Sequence, residues 1–170
     1  MSSVHKNLSE FSTDGLLDMS AKRFAIVVAE WNEQITGALF DGAYQTLLQA
    51  GVKTENILRY DVPGSFELSV GAQWAAQRAD VDAVICLGCV IQGETRHFDF
   101  ICQAVAYGVT EVGLKYNKPV IFGVLTPDNQ QQAIDRAGGK HGNKGDEAAI
   151  TAVKMLGTKA ALESPSVPTA

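Results

Sequence analysis

"VDAVICLGCVI", residues 81–91, carries one charge and no polar alternation. A half-buried strand would show every second side chain to water; a strand with no polar face needs a helix layer on each side. "PVIFGVLT" (119–126) reads the same way, and "RFAIVVAE" (23–30) and "NILRYDVP" (56–63) complete a set of four short strands. The segments between them have helical period. Residues 33–50 place Ile35, Leu39, Ala43, Leu47 and Ala50 at spacings of three and four and end at Gly51, a natural C-cap. "SFELSVGAQWAAQRA" (65–79) and "HFDFICQAVAYGVTEVGLKY" (97–116) behave likewise, the second stopping before Pro119.

Beyond the fourth strand, residues 128–139 read as a short helix and 145–161 as a final one. Helical crossovers impose parallel strands and right-handed connections. The expectation is therefore an α/β three-layer sandwich, a four-stranded parallel sheet flanked by helices, flavodoxin-like. One domain spans 22–161, preceded by an N-terminal arm (1–21) and followed by a flexible C-terminal tail (162–170), whose two prolines and lack of apolar period suit no packed element.

The chain of 170 residues is 46% hydrophobic, enough for one core. It has no long uncharged apolar run and no signal-peptide pattern at its polar N-terminus, so a soluble cytoplasmic protein is expected. A net charge of −5 argues against a nucleic-acid footprint. Three cysteines make no disulfide framework. Cys86 and Cys89 have C-x-x-C spacing, but on a strand positions i and i+3 face opposite ways, so they read as small core residues and no metal site is expected.

In an open parallel sheet, ligands sit beyond the carboxyl ends of the strands. The first strand is followed by Trp31 and Asn32, the second by Gly64, Ser65, Phe66 and Glu67, the third by "CVIQGETRHFDF" (89–100), and the fourth by "TPDN" and then "RAGGKHGNKG". Each has a plain explanation: Trp31 as a helix-end cover, Glu67 as a first-turn acid, His97 as a structural histidine, the basic stretch as a solvated loop. Together they have the composition of a site. Gly93 would permit an unusual turn, after which Glu94 and Thr95 would begin a helix whose free N–H groups hold an anion. Glu94 would contribute only its backbone. Thr95 would add its hydroxyl and Arg136 a bidentate contact, with His97 one turn in to move protons near neutrality. No G-x-G-x-x-G or Walker ending is present, so a small phosphorylated metabolite beside a stacked ring fits better than a dinucleotide.

"WNEQIT", "PGSFEL", "GCVIQGETRHFDF", "PVIFGVLT" and "DRAGGKHGNKGDEAA" run in the order seen in lumazine synthases, and the chain resembles that family over about residues 22–160. The resemblance implies a transferase of riboflavin biosynthesis that condenses 5-amino-6-ribitylamino-uracil with 3,4-dihydroxy-2-butanone 4-phosphate to 6,7-dimethyl-8-ribityllumazine, without metal or redox cofactor. Trp31, with Asn32 beside it, would stack on the pyrimidine; Ser65, Phe66 and Glu67 would hold the ribityl chain and nearby polar groups. Cys89, Val90 and Ile91 would line the ring pocket and Phe122 close it. Glu94, Thr95 and Arg136 would bind phosphate, His97 would transfer protons, and Lys144 with Glu147 would lie near the reacting end. The family forms homo-pentamers with sites shared between neighbours; the short "AGGKHGNKG" loop points toward a sixty-subunit shell of twelve pentamers. Two departures from the family pattern stand out: Glu30-Trp31 replaces the usual Arg-Phe, and Pro127 stands where Thr is more usual, there suiting a helix start. A non-catalytic riboflavin- or lumazine-binding protein, a shell protein or a flavodoxin-like electron carrier of the same fold are the alternatives.

Overall fold

The computed structural model describes Asn7, residues 9–12, Gly15 and residues 17–164. Four parallel strands, β1 (Phe24–Ala29), β2 (Ile57–Val62), β3 (Ala83–Cys89) and β4 (Val120–Leu125), form one sheet in the order β2-β1-β3-β4. This is the α/β flavodoxin-like arrangement expected. Three helices make the crossovers: α1 (Glu33–Gln49), α2 (Leu68–Gln77), entered through a short 3₁₀ turn at Ser65–Glu67, and α3 (His97–Tyr116). The chain ends in α4 (Gln130–Asp135), a small antiparallel hairpin β5 (Ala137–Gly139) and β6 (Gly142–Asn143), and α5 (Lys144–Glu163).

The period of two along β1 and β3 divides the core between two faces. Phe24, Ile26, Val28, Ile85, Leu87 and Cys89 meet Leu39, Leu47, Ala149 and Val153 of α1 and α5. Ala25, Val27, Val84 and Cys86 meet Leu68, Ala72, Val105 and Val109 of α2 and α3. Cys86 and Cys89 thus point into different layers, as their spacing requires. Both central strands are buried along their whole length. Met19, ahead of the first strand, is fully buried in the α1–α5 layer.

Several local expectations are corrected. β4, whose apolar faces predict cover on both sides, is an edge strand, and Val120–Phe122 are only half-buried. An open groove of about 740 Å³ runs beside it between α3 and α5. The helix expected over 128–139 stops at Asp135 and gives way to the hairpin, because Gly138 (φ 102°) and Gly142 (φ 80°) adopt left-handed conformations that end helix and turn the chain. Pro127 does not open α4; Asn129 caps it, accepting from Gln132 N–H at 3.0 Å, while the Pro127 carbonyl accepts from Gln92 N–H at 3.0 Å. α5 runs through Leu162 and Glu163, the first two residues of the expected tail, and residues 165–170 lie outside the described residues. Gly51 (φ 87°) does close α1, with Val52 N–H donating to Leu47 O at 3.0 Å.

Candidate active site

The chain leaves β1 toward β2 on one side and later returns to add β3 on the other, so the topological switch lies between β1 and β3. Beyond those strand ends is a cavity of about 430 Å³ lined by Trp31, Asn32, Gly64, Ser65, Phe66, Glu67, Cys89, Val90, Ile91, His97 and Ile101. The stretches after β1, β2 and β3 therefore converge, as expected, but the stretch after β4, expected at the same place, contributes nothing to this cavity. Ile101 was missed in the sequence. Its signal is helical spacing: it lies four residues, one turn, beyond His97.

Asn32 organises the mouth. It adopts a left-handed conformation (φ 64°, ψ 44°), and its carbonyl accepts the first helical N–H groups, Ile35 at 2.8 Å and Thr36 at 3.0 Å. Its Nδ2 crosses to donate to the Cys89 carbonyl at 2.9 Å, tying the end of β1 to the end of β3. The reversal throws Trp31 outward, leaving it 73% exposed, while Trp31 N–H donates to Pro63 O at 3.2 Å. Phe66 is also exposed, at 55%. Two unburied rings at one cavity suit a flat partner.

Ser65 is the opposite case. It is buried, and its Oγ has no hydrogen-bond partner among the described residues. A side chain on Gly88 would come within 2.6 Å of that oxygen, so the glycine admits Ser65 to the cavity wall. An orphaned hydroxyl beside a cavity is ready for a polar ligand group. Burial pushes the Cys86 thiol up to about 12 and, with the Cys102 sulfur nearby as a lesser cause, the Cys89 thiol up to about 12. Both stay protonated, Cys89 in the cavity wall and Cys86 in the core behind it, and neither is a nucleophile.

The expected anion pocket differs in detail. α3 begins at His97, not at Glu94; Glu94, Thr95 and Arg96 form an exposed bend. Thr95 Oγ1 accepts from His97 N–H at 3.4 Å, a weak bond. Gly93 does not take a positive φ, so no unusual turn depends on it. Phe122, Lys144 and Glu147 line the separate groove beside β4, where Lys144 Nζ and Glu147 Oε1 pair at 3.0 Å. Glu147 Oε2 is buried without a partner among the described residues. Arg136 caps the end of α4 and lines neither cavity; its carbonyl accepts from Lys144 N–H at 2.8 Å. One chain therefore gathers Trp31 through Ile91 and His97 at one place, and holds Phe122, Arg136, Lys144 and Glu147 elsewhere.

Residues 21–160 match the model of the family described as 6,7-dimethyl-8-ribityllumazine synthase. A protein of that name from Cytophaga hutchinsonii is 68% identical over 92% of this chain and 98% of its own length. Those from Parabacteroides distasonis, 53% identical over 92% of this chain and 98% of its own, and Flavobacterium johnsoniae, 52% identical over 91% and 82%, are similar across the same span. With a cavity at the β1–β3 switch built from the stretches after β1, β2 and β3, and a family match covering all but the two ends, the chain belongs to the 6,7-dimethyl-8-ribityllumazine synthase family.

Proposed function

We infer that this chain condenses 5-amino-6-ribitylamino-uracil with 3,4-dihydroxy-2-butanone 4-phosphate to give 6,7-dimethyl-8-ribityllumazine, releasing phosphate and water, in riboflavin biosynthesis. The convergence of Trp31, Asn32, Ser65–Glu67, Cys89–Ile91 and His97 on one cavity carries this reading. Trp31 stacks on the pyrimidine, and Asn32 fixes where that ring can lie. Cys89, Val90 and Ile91 form the wall behind it. Ser65, whose buried hydroxyl lacks a partner, and Glu67 take the ribityl hydroxyls, with Phe66 covering the chain.

The reaction joins an amine to a ketone and then expels water and phosphate, so it needs a proton carrier and two substrates in register. His97 carries the protons. Holding both substrates in register supplies on the order of 7 kcal/mol or more of the barrier reduction. Glu94 and Thr95 offer backbone and hydroxyl donors to the phosphate and Arg136 the counter-charge, while Phe122 closes the ring pocket. Lys144 and Glu147 stand near the reacting end.

Phe122, Lys144 and Glu147 face a different groove from the Trp31–His97 cavity, and Arg136 lies outside both, so the site is assembled from two copies: one supplies the cavity, its neighbour supplies Phe122, Arg136, Lys144 and Glu147. The assembly is a homo-pentamer, and the short hairpin loop favours further association into a sixty-subunit shell. A cytoplasmic setting accompanies this reading, since three free thiols suit a reducing compartment.

Mixing the purified protein with both substrates tests the activity. Growth of the product's visible absorbance is expected. Ligand fluorescence changes without turnover would instead identify a riboflavin- or lumazine-binding protein of the same fold.

A further inference from the structure

We propose that Asn143 is the positioning residue for the cationic half of the site, setting Arg136 and Lys144 in place for the phosphorylated substrate. This rests on the roles assigned to those two residues above. Asn143 is a buried polar residue, 9% exposed, between the hairpin and α5. Its backbone N–H donates to Ser9 Oγ at 2.9 Å, drawing in the N-terminal arm from 134 residues away. Its Nδ2 donates to the Ala38 carbonyl of α1 at 2.8 Å. Its Oδ1 accepts from Gly145 N–H at 2.8 Å and so caps α5. Arm, first helix, hairpin and last helix all meet at this residue.

The two cations hang directly on it. Asn143 pairs across the hairpin with Ala137, the residue after Arg136, and precedes Lys144, whose N–H donates to the Arg136 carbonyl at 2.8 Å. A movement of Asn143 therefore carries both cations with it. α1 leaves room for the amide and for its neighbour on α5: a side chain on Gly42 would strike Asp146 Oδ1 and come within 2.5 Å of Asn143 Nδ2. Neither of the other good capping residues replaces it. Serine can cap α5 but is too short to reach Ala38; aspartate can cap but would set a carboxylate against the Ala38 carbonyl.

Steady-state KM values for each substrate, measured in the wild type, Asn143→Ser, Gly42→Ala, Arg136→Ala and the Asn143→Ser/Arg136→Ala double variant, test the proposal. Asn143→Ser keeps the cap, so it should raise KM for the ketone phosphate by about tenfold and leave KM for the ribitylamino-uracil within about twofold. Gly42→Ala, which presses on the same amide and on the Asp146 carboxylate beside it with Asn143 intact, should show the same split and serves if Asn143→Ser does not fold. In the double variant Asn143→Ser should add less than its effect in the wild type, because the part that acts through Arg136 is already lost and only the part through Lys144 remains. Equal rises in both KM values, as a merely structural role would give, overturn the proposal. A raised phosphate KM in Arg136→Ala beside an unchanged one in both Asn143→Ser and Gly42→Ala sinks it alone. An unchanged KM in Arg136→Ala sinks the phosphate assignment itself, and the Asn143 role with it.

Discussion

Asn32 and Asn117 are the described non-glycine residues with positive φ, and they have different work. Asn117 closes a helix. Asn32 opens one, and beyond the conformational cost of about 1 kcal/mol it makes a bond that a glycine could not, from its amide to Cys89 O. Asn32→Ala keeps the strain and loses the bond, so chemical denaturation should find it about 1–2 kcal/mol less stable than the wild type. Equal midpoints would mean that the β1–β3 tie contributes nothing. His97, at the cavity edge with its ring exposed, is the residue from which chemistry rather than stability is expected. His97→Ala should slow turnover by roughly ten- to a thousandfold while leaving the pyrimidine affinity nearly intact. Turnover at the wild-type rate would remove it from the mechanism.

Among elements, the close crossing of α1 and α5 is the tightest constraint. A side chain on Gly145 would strike the Leu39 carbonyl, so Gly145→Ala must push α5 away from α1. A loss of about 1–3 kcal/mol in urea denaturation is expected, and wild-type stability would show that the helices can slide apart freely. A second test concerns the turn before β3. Hydrogen bonds from Arg78 and then Arg23 hold the Asp80 carboxyl down to about 2. A depressed folded pKa gives stability that is present above the unfolded value of about 3.9 and lost as pH falls through about 2. The urea-midpoint gap between wild type and Asp80→Asn should therefore narrow from about pH 4 to about pH 2; a constant gap would dissociate Asp80 from acid sensitivity. The strands and crossovers are legible because burial writes a period of 2 or 3.6 into the side chains, and the three cavity stretches follow from their place beyond the strand ends; the stretch after β4, expected beside them, is not in that cavity. The hairpin is not legible, since Gly138 and Gly142 act through backbone angles that leave no periodic trace. Nor is the exposed flank of β4: an edge strand that another surface covers has the same apolar composition as a central one.

At the scale of the whole molecule, the apolar edge of β4 is informative. Val120, Ile121 and Phe122 sit half-buried on an edge beside a groove of about 740 Å³ that also holds Lys144 and Glu147, while His97 lies at the other cavity. An apolar edge next to the residues proposed for the second half of the site is what a contact between copies would cover. Sedimentation should give a mass that is a multiple of five chains, and a mass near one chain would overturn the shared site. Mixing tests the sharing itself. If sites are shared as proposed, His97→Ala damages one half of each site and Arg136→Ala the other. When the two variants are unfolded together and reassembled at equal amounts, chance places an intact cavity against an intact cationic half at about one site in four. The mixed preparation should then recover on the order of a quarter of wild-type turnover, far above either variant alone. If each chain carried a complete site, every site would keep one lesion, and activity would stay at the mean of the two parents.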